Sequence, residues 1–150
     1  MSITVRQAAA ADIETLAPLF DAYRQFYEQN SDLDLARRFL SERFARAESV
    51  VFIAEDEAGA AVGFAQLYPS FTSTRAARIY VLNDLFVAPE ARGRGAGGRL
   101  LATAADHGRA EGCAGLTLST ARTNLVAQAL YEASGWKRDE VFLTYDLALD

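Results

Sequence analysis

The chain reads IYVLNDLFVAPEARGRGAGGRLLATAA from Ile79 to Ala105, and this stretch decides its fold. An apolar run is followed by a glycine-rich segment and then by apolar residues at helical spacing, which predicts a strand, a turn and a helix. The free N–H groups at the start of that helix, the positive end of its dipole, and the side chains of Arg92 and Arg94 would surround one hollow. The stretch therefore predicts a site for a phosphate or a pyrophosphate.

The spacing of the glycines separates three known phosphate-binding loops. A P-loop requires a Gly-Lys pair, and the chain contains none. The dinucleotide pattern G-x-G-x-x-G is met at positions 93, 95 and 98, but the segment Leu116–Thr120 lacks the acid that should hold the ribose. A glycine-rich helix start without a ligand is disfavoured, because these glycines destabilise the helix without a structural return. The third pattern, Arg-x-x-Gly-x-Gly, is met at Arg92, Gly95 and Gly97.

Length, charge and cysteine content limit the class of protein. At 150 residues the chain suits one domain with a sizeable core. Its 15 basic and 20 acidic side chains give a net charge of −5, which argues against nucleic acid as a partner and suits a cationic substrate. Cys113 is the only cysteine, so neither an internal disulfide nor a cysteine-rich metal site is expected. Without a membrane-span-sized apolar run or a signal-peptide pattern, we expect a cytoplasmic protein with no membrane partner.

Periodicity predicts the element order β-α-α-β-β-β-α-β-α-β. The central strand, glycine loop, helix and strand require a parallel pair joined by a right-handed crossover, whereas the flanking hairpins require antiparallel pairs. We therefore predict a mixed α+β fold in a single domain, residues 1–150, with a mostly antiparallel sheet and one parallel strand pair. The predicted strands are residues 3–6, 50–55, 61–71, 77–87, 115–119 and 141–147, and the predicted helices start near residues 12, 32, 97 and 124.

Capping and helix-breaking residues set the predicted helix ends. Asp12 is expected to cap the first helix, and Asp32 or Asp34 the second. Pro18 lies several residues inside the first helix and predicts a kink or a late start there. Gly135 is expected to end the last helix in a left-handed cap.

Three segments together resemble the GNAT superfamily of acyltransferases. The opening Val5-Arg6-Gln7-Ala8 with Asp12 is similar to the first strand and helix entry of that family, and residues 85–97 are similar to its fourth strand and cofactor loop. The segment from Asn124 to Trp136, with Tyr131 seven residues after Asn124, is similar to its last helix. The resemblance covers nearly the whole chain. It implies the GNAT fold and acetyl-CoA as the cofactor.

The resemblance also implies which residues hold the cofactor. Asn124 would hydrogen-bond the cofactor arm, a role that is compatible with a plain helix N-cap. Arg92 and Arg94 would add positive charge beside the pyrophosphate, unless they are surface arginines. The sheet would be splayed so that a strand edge accepts the pantetheine arm through the backbone of Leu85, Phe86 and Val87. Backbone N–H groups of the loop would hold the pyrophosphate, namely those of Gly93, Arg94, Gly95, Ala96, Gly97 and Gly98.

Candidate catalytic residues follow from the same resemblance. A phenol with a pKa near 10 can give a proton to a departing thiolate, which makes Tyr131 the expected acid, with a core tyrosine as the alternative. Asn83 and Asp84 stand where the polyamine and diamine acetyltransferase branch carries a Glu-Asp pair. Asp84 would then serve as the base, unless water and backbone carbonyls suffice and Asp84 is a structural carboxylate. Tyr27 and Glu28 resemble an aromatic-acid pair that touches the amine in that branch.

The combined hypothesis is an acetyl-CoA-dependent N-acetyltransferase that acts on a primary amine of a small cationic metabolite such as a diamine, polyamine or amino acid. Transfer would be direct within a ternary complex, because no cysteine or serine near the motif has a neighbouring base. Protein N-termini or lysines as acceptors, and a non-catalytic acyl-CoA-binding or sensing domain, are the alternatives. His107 is expected to face solvent. A homodimer is expected, since related small enzymes often complete their sites across two subunits and residues 141–147 are apolar enough to need covering.

Overall fold

A computed structural model describes residues 2–149, which fall into two compact units that divide between Ser119 and Thr120. The expectation of a single domain stays a prediction. No helix of the described residues is long and apolar enough to cross a membrane. The first unit contains β1 (Thr4–Gln7), α1 (Ile13–Phe26), α2 (Leu33–Ala45), β2 (Val50–Glu55), β3 (Ala61–Thr72), β4 (Ala77–Val87), α3 (Ala96–Ala110) and β5 (Gly115–Thr117), and the second contains α4 (Leu125–Ala133).

The sheet of the first unit is mixed, as predicted. Its five strands follow the order β1-β2-β3-β4-β5, so sequence neighbours are also spatial neighbours. Every pair is antiparallel except β4 with β5, where Ile79–Val81 pairs with Gly115–Thr117 in parallel. The glycine loop and α3 form the crossover that this parallel pair requires. The mixed fold class with one parallel pair is therefore confirmed.

Helices cover both faces of this sheet because its strands are apolar on both sides. Leu16 and Phe20 of α1 and Leu40 of α2 pack with Phe64 and Phe86 in one buried cluster. On the other face α3 buries its own apolar stripe and contacts β1 to β5. In β2, for example, Val51 and Ile53 belong to the first cluster, whereas Phe52 contacts a ring on α3. Alternate side chains thus fill two separate layers.

The helix ends agree with most of the predicted signals. Asp32 caps α2 by accepting a hydrogen bond from the Leu35 N–H at 3.0 Å, and Gly135 has a φ of +92° after α4. The late start proposed for the first helix is wrong, since α1 begins at Ile13 and continues through Pro18. Asp12 does not cap α1 through its side chain, because its carboxylate accepts from the Ala9 N–H and pairs with Arg6.

The predicted last strand at residues 141–147 is wrong. No strand is found among the described residues after β5. Asp139 accepts hydrogen bonds from the backbone N–H groups of Val141 and Phe142 at 2.9 and 3.3 Å, a local turn that competes with strand pairing. Phe142 is 79% exposed and Leu147 is 85% exposed. An alternating apolar pattern describes a strand's two faces, but it does not supply the neighbour whose backbone a strand needs.

Candidate active site

The edge of β4 carries unpaired backbone groups where the sequence placed the cofactor arm. β5 covers β4 only along Ile79–Val81, so the rest of that edge lies beyond the parallel pair. The carbonyl of Phe86 faces β3, because a side chain added at Gly63 would meet it at 2.7 Å. Neighbouring residues of a strand direct their backbone groups to opposite sides, so Leu85 and Val87 face the open edge. Of the three residues predicted to offer their backbone, Phe86 therefore does not.

The glycine loop presents a row of free donors at the start of α3. Gly93 and Gly95 have φ angles of +82° and +84°, which residues with a side chain rarely adopt. Within the described residues, the N–H groups of residues 93–98 donate to no carbonyl oxygen, and the first bond of the helix is from Arg99 N to Gly95 O. No atom lies within 4 Å of a Cβ built on Gly93, Gly95 or Gly98. The segment is an open anion-binding geometry at a helix N-terminus.

The two arginines of the loop are in different surroundings. The Nε of Arg92 donates to the Val87 carbonyl oxygen at 3.0 Å, and its guanidinium lies 5.9 Å from the ring centroids of Phe26 and Phe86. Arg92 therefore ties the loop to the end of β4 and to α1. Arg94 is exposed beside the free N–H groups.

A β-bulge in β4 determines where Asp84 lies. Gln66 pairs with Asp84 and Leu67 pairs with Leu82, so Asn83 has no partner in the ladder. Before the bulge Tyr80 contacts a ring on α3, whereas after it Phe86 contacts Tyr23 on α1. A regular strand would keep residues 80, 82, 84 and 86 on one face. The extra residue therefore moves Asp84 to the α1 face of the sheet.

Asp84 is a buried carboxylate held by side-chain amides. It is 2% exposed, and its two oxygens accept from Gln66 Nε2 at 2.6 Å and from Asn83 Nδ2 at 2.9 Å. Burial raises the pKa of Asp84, and the donors from Asn83, Gln66 and Tyr23 offset only part of that effect. Asn83, in contrast, is exposed at the bulge, and its carbonyl oxygen accepts from the Tyr23 hydroxyl at 3.2 Å.

Tyrosines surround this carboxylate. Tyr23 lies edge-on to Phe64 and to Tyr27, with ring centroids 5.8 and 5.2 Å apart. Burial, followed by the negative charge of Asp84, raises the pKa of both Tyr23 and Tyr68. Both phenols therefore stay neutral at neutral pH.

The predicted substrate residues lie at the end of α1. Tyr27 is 46% exposed and packs edge-on against Phe26 at 5.2 Å. Glu28 follows with a φ of +65°, a left-handed conformation that is unusual for glutamate. Backbone strain of this kind is often kept at functional sites.

Sequence reasoning missed Gln66 and Tyr68, and it misplaced His107. Gln66 is fully buried in β3, and the signal for it was a single amide within an otherwise apolar strand. His107 is not solvent-facing: its Nε2 is buried, and its ring lies 5.5 Å from Phe52 and 5.4 Å from Tyr80. His107 lies between exposed charged residues of α3, so the sequence alone could not tell a buried position from a solvent-facing one.

The second unit contains the other two predicted site residues. Asn124 caps α4, since its Oδ1 accepts from the Ala127 N–H at 3.2 Å. Tyr131 lies in the last turn of α4, half-buried, with its ring 6.2 Å from that of Trp136. The backbone also turns there, because the Trp136 N–H donates to the Tyr131 carbonyl oxygen at 3.0 Å.

Comparison with known proteins decides the family. The model of the acetyltransferase (GNAT) family matches residues 15–136. The chain belongs to the GNAT family of acetyltransferases. The uncharacterized N-acetyltransferase YhfO of Bacillus subtilis (strain 168) is 50% identical over 145 residues, which cover 97% of each chain. This GNAT protein is therefore an acyltransferase enzyme, and a purely non-catalytic acyl-CoA-binding domain is disfavoured.

Solved structures share the GNAT fold. The crystal structure of a probable acetyltransferase is 39% identical with a TM-score of 0.92, and 98% of both chains is covered. The aminoglycoside N-acetyltransferase AAC(6')-Iy in complex with CoA is 22% identical with a TM-score of 0.82, covering 99% of this chain and 96% of that one, which shows likeness of fold. As a GNAT acetyltransferase, the protein uses acetyl-CoA as its cosubstrate and acetylates an amine.

Proposed function

We propose that this GNAT enzyme acetylates a primary amine of a small cationic metabolite such as a diamine, polyamine or amino acid. The observation that carries the proposal is Asp84, a buried carboxylate ringed by tyrosines and one residue before the open edge at Leu85. An amine that approaches an acetyl donor on that edge meets a proton acceptor and aromatic faces together. Such surroundings suit an ammonium group.

The donor half of the site is made from backbone. The backbone groups of Leu85 and the N–H of Val87 fit a pantetheine arm added as a strand, while the Val87 carbonyl oxygen is taken by Arg92. The unpaired N–H groups of residues 93–98 fit a pyrophosphate. Bound acetyl-CoA supplies a thioester carbonyl for the amine to attack and a thiolate leaving group. Arg94 adds charge beside the pyrophosphate, Arg92 holds the loop against β4, and Asn124 offers its side-chain amide to the cofactor arm.

The acceptor half of the site is made from side chains. Tyr23, Tyr27 and Tyr68 present ring faces or edges, and Glu28 and Asp84 supply negative charge. A net charge of −5 adds a field that attracts cations. The relation to the polyamine and diamine branch remains part of this proposal.

Proton transfer is divided between two residues. An alkylamine with a pKa of about 10.4 is free base to only about one part in a thousand at neutral pH, so a base must take its proton. We assign this step to Asp84, with the Asn83 amide orienting the carboxylate from 2.9 Å. Tyr131 then protonates the departing thiolate. We propose direct transfer, because no cysteine or serine near the motif has a neighbouring base that would make it a covalent carrier. Cys113 follows the C-terminus of α3 and has no covalent role in this proposal.

A thiol-release assay tests the function. Purified protein is mixed with acetyl-CoA and a panel of diamines, polyamines, amino acids, aminoglycosides, and peptides with a free N-terminus or lysine. We expect fastest release with a small cationic amine, and mass spectrometry should show that amine carrying one acetyl group. Preference for the peptides would establish the protein-acetylating alternative, and no release with any amine would overturn the proposal.

The variant Tyr131→Phe tests the acid. We expect kcat to fall by about 10² to 10⁴ while the KM for acetyl-CoA stays within twofold, because only the proton donor is lost. Tyr145→Phe is the matched control in the same unit, since Tyr145 is 87% exposed. Equal activity of both variants would remove Tyr131 from the mechanism.

The assembly and the compartment complete the proposal. We propose that the enzyme is a homodimer, supported by the exposed apolar side chains at residues 141–149. We also propose that it works in the cytoplasm, where acetyl-CoA is used.

A further inference from the structure

Gln66 is a buried amide whose hydrogen bonds are only half made. It is fully buried in β3, its Nε2 donates to Asp84 Oδ2 at 2.6 Å, and its Oε1 has no donor among the described residues. An acceptor buried without a partner destabilises the fold, because it has lost its bonds to water and gained none. A buried amide facing a buried carboxylate is also a poor way to stabilise a core, because an apolar pair would avoid both desolvation penalties. The pair therefore points to a role other than packing.

The distance allows two arrangements of the same heavy atoms. With Asp84 ionised, Gln66 Nε2 donates to the carboxylate. Turning the amide by about 180° places Oε1 opposite Oδ2, which forms a hydrogen bond only when Asp84 carries a proton that it can donate. The 2.6 Å separation suits an O–H···O bond as well as a short N–H···O bond.

We propose that Gln66 is a positioning residue that keeps Asp84 hydrogen-bonded both before and after it takes the proton of the amine substrate. The proposal rests on the proposed function in assigning the base to Asp84. The ammonium group gives one proton to the Asp84 carboxylate, which leaves a neutral amine and a carboxylic acid. As the proton arrives, the Gln66 amide turns and Oε1 accepts the new O–H. The carboxylic acid later releases the proton to water, and the amide returns.

Other groups that face Asp84 do not duplicate this role. Tyr23 from α1 and Tyr68 from β3 have raised pKa values and remain neutral, and the charges of Asp84 and of Arg43 on α2 both act on Tyr68. Asn83 uses its Nδ2 on Oδ1. Gln66 pairs with Asp84 in the β3–β4 ladder, so the register of these strands brings the Gln66 side chain to Asp84 Oδ2.

Carboxyl and amide NMR tests the inference in the unmodified protein. The ¹³Cγ shift of Asp84 and the side-chain ¹⁵N shift of Gln66 are followed against pH. We expect both to change with one common midpoint, because protonation and amide rotation are coupled. A Gln66 resonance that does not respond while Asp84 titrates would overturn the inference. This readout needs no acetyl transfer, so it is independent of the proposed function.

A variant supplies the kinetic test. In Gln66→Met the ionised carboxylate loses a donor and the carboxylic acid loses an acceptor. The bond to the charged form is the stronger of the two, so the acid limb of kcat/KM and the Asp84 midpoint should both move up, by less than about one pH unit. Leu67→Met, at the next fully buried position of β3, is the matched control and should leave the limb in place. An unmoved limb in Gln66→Met, with Asp84→Asn inactive, would overturn the inference and leave Asp84 as base. Full activity of Asp84→Asn would instead overturn the base assignment on which both rest.

Discussion

Glu28 follows the C-cap of α1 in a conformation that glycine adopts more easily. Its φ of +65° costs about 1–2 kcal/mol relative to a relaxed backbone. If the charge of Glu28 contributes to substrate binding, removal of the side chain should raise the stability of the fold and weaken substrate binding. Because the two effects have opposite signs, a loss of binding at Glu28 cannot be explained by a loss of stability.

Glu28→Gly should raise the free energy of unfolding by up to about 1 kcal/mol and raise the KM of a cationic amine by up to about fivefold. Urea denaturation and steady-state kinetics measure the two effects. Ala47→Gly is the matched control, since Ala47 has a φ of +52° after α2 and should gain stability without any change in KM. If the two variants gave the same KM, Glu28 would have no part in amine binding.

Asp84 links the protonation of the site to the stability of the fold. Its pKa is higher in the folded chain than in the unfolded chain, so the folded state binds more protons between the two values. The stability contributed by this group is therefore present at low pH and is lost as pH rises through the folded pKa. At neutral pH the ionised carboxylate is a net cost to folding.

Asp84→Asn should accordingly raise Tm by a few degrees at pH 8, and the gain should disappear as pH approaches about 4. Activity should fall by about 10² or more, because the substitution removes the proposed base. Differential scanning calorimetry at both pH values provides the measurement. Asp106→Asn, whose side chain is 78% exposed, should change Tm little at either pH. A lower Tm for Asp84→Asn at pH 8 would contradict the sign.

At the scale of elements, the sequence predicted local structure well and pairing less well. Residues 77–87 were predicted as a strand and form β4 with those bounds, because an apolar run with turn signals on both sides is a local property. The bulge at Asn83 depends on the register with β3, which no local pattern records. Asp84 could therefore be named as a candidate base, whereas its hydrogen bond with Gln66 could not be predicted. The failed strand at residues 141–147 has the same cause.

The glycine loop offers a prediction with a control on the same helix. Gly95 precedes α3 with a φ of +84°, and Gly112 follows it with a φ of +72°, both without an atom within 4 Å of an added Cβ. Gly95→Ala and Gly112→Ala should each lower the unfolding free energy by about 1–2 kcal/mol. Isothermal titration calorimetry with CoA should show about tenfold weaker binding for Gly95→Ala alone, since under the proposed function Gly95, and not Gly112, belongs to the loop that holds the pyrophosphate. Equal affinities would show that the loop does not hold the pyrophosphate.

At the scale of the whole molecule, the exposed apolar side chains of residues 141–149 predict association. Large contiguous apolar surface is uncommon on monomers. We expect a mass of twice 16.3 kDa by light scattering, and a monomer for Phe142→Asp combined with Leu147→Asp. Phe71→Asp is the matched control, because Phe71 is 72% exposed at the end of β3 and should leave the dimer intact. A monomeric unmodified protein would exclude the homodimer.

The bulge at Asn83 has a consequence for how such an enzyme changes over time. On β4, the backbone groups of Leu85 face the open edge, while the side chain of Asp84 faces α1. Amino-acid substitutions change side chains and leave the peptide backbone groups in place. Under the proposed function, substitutions around Asp84 change which acceptor binds and leave the backbone contacts to acetyl-CoA in place.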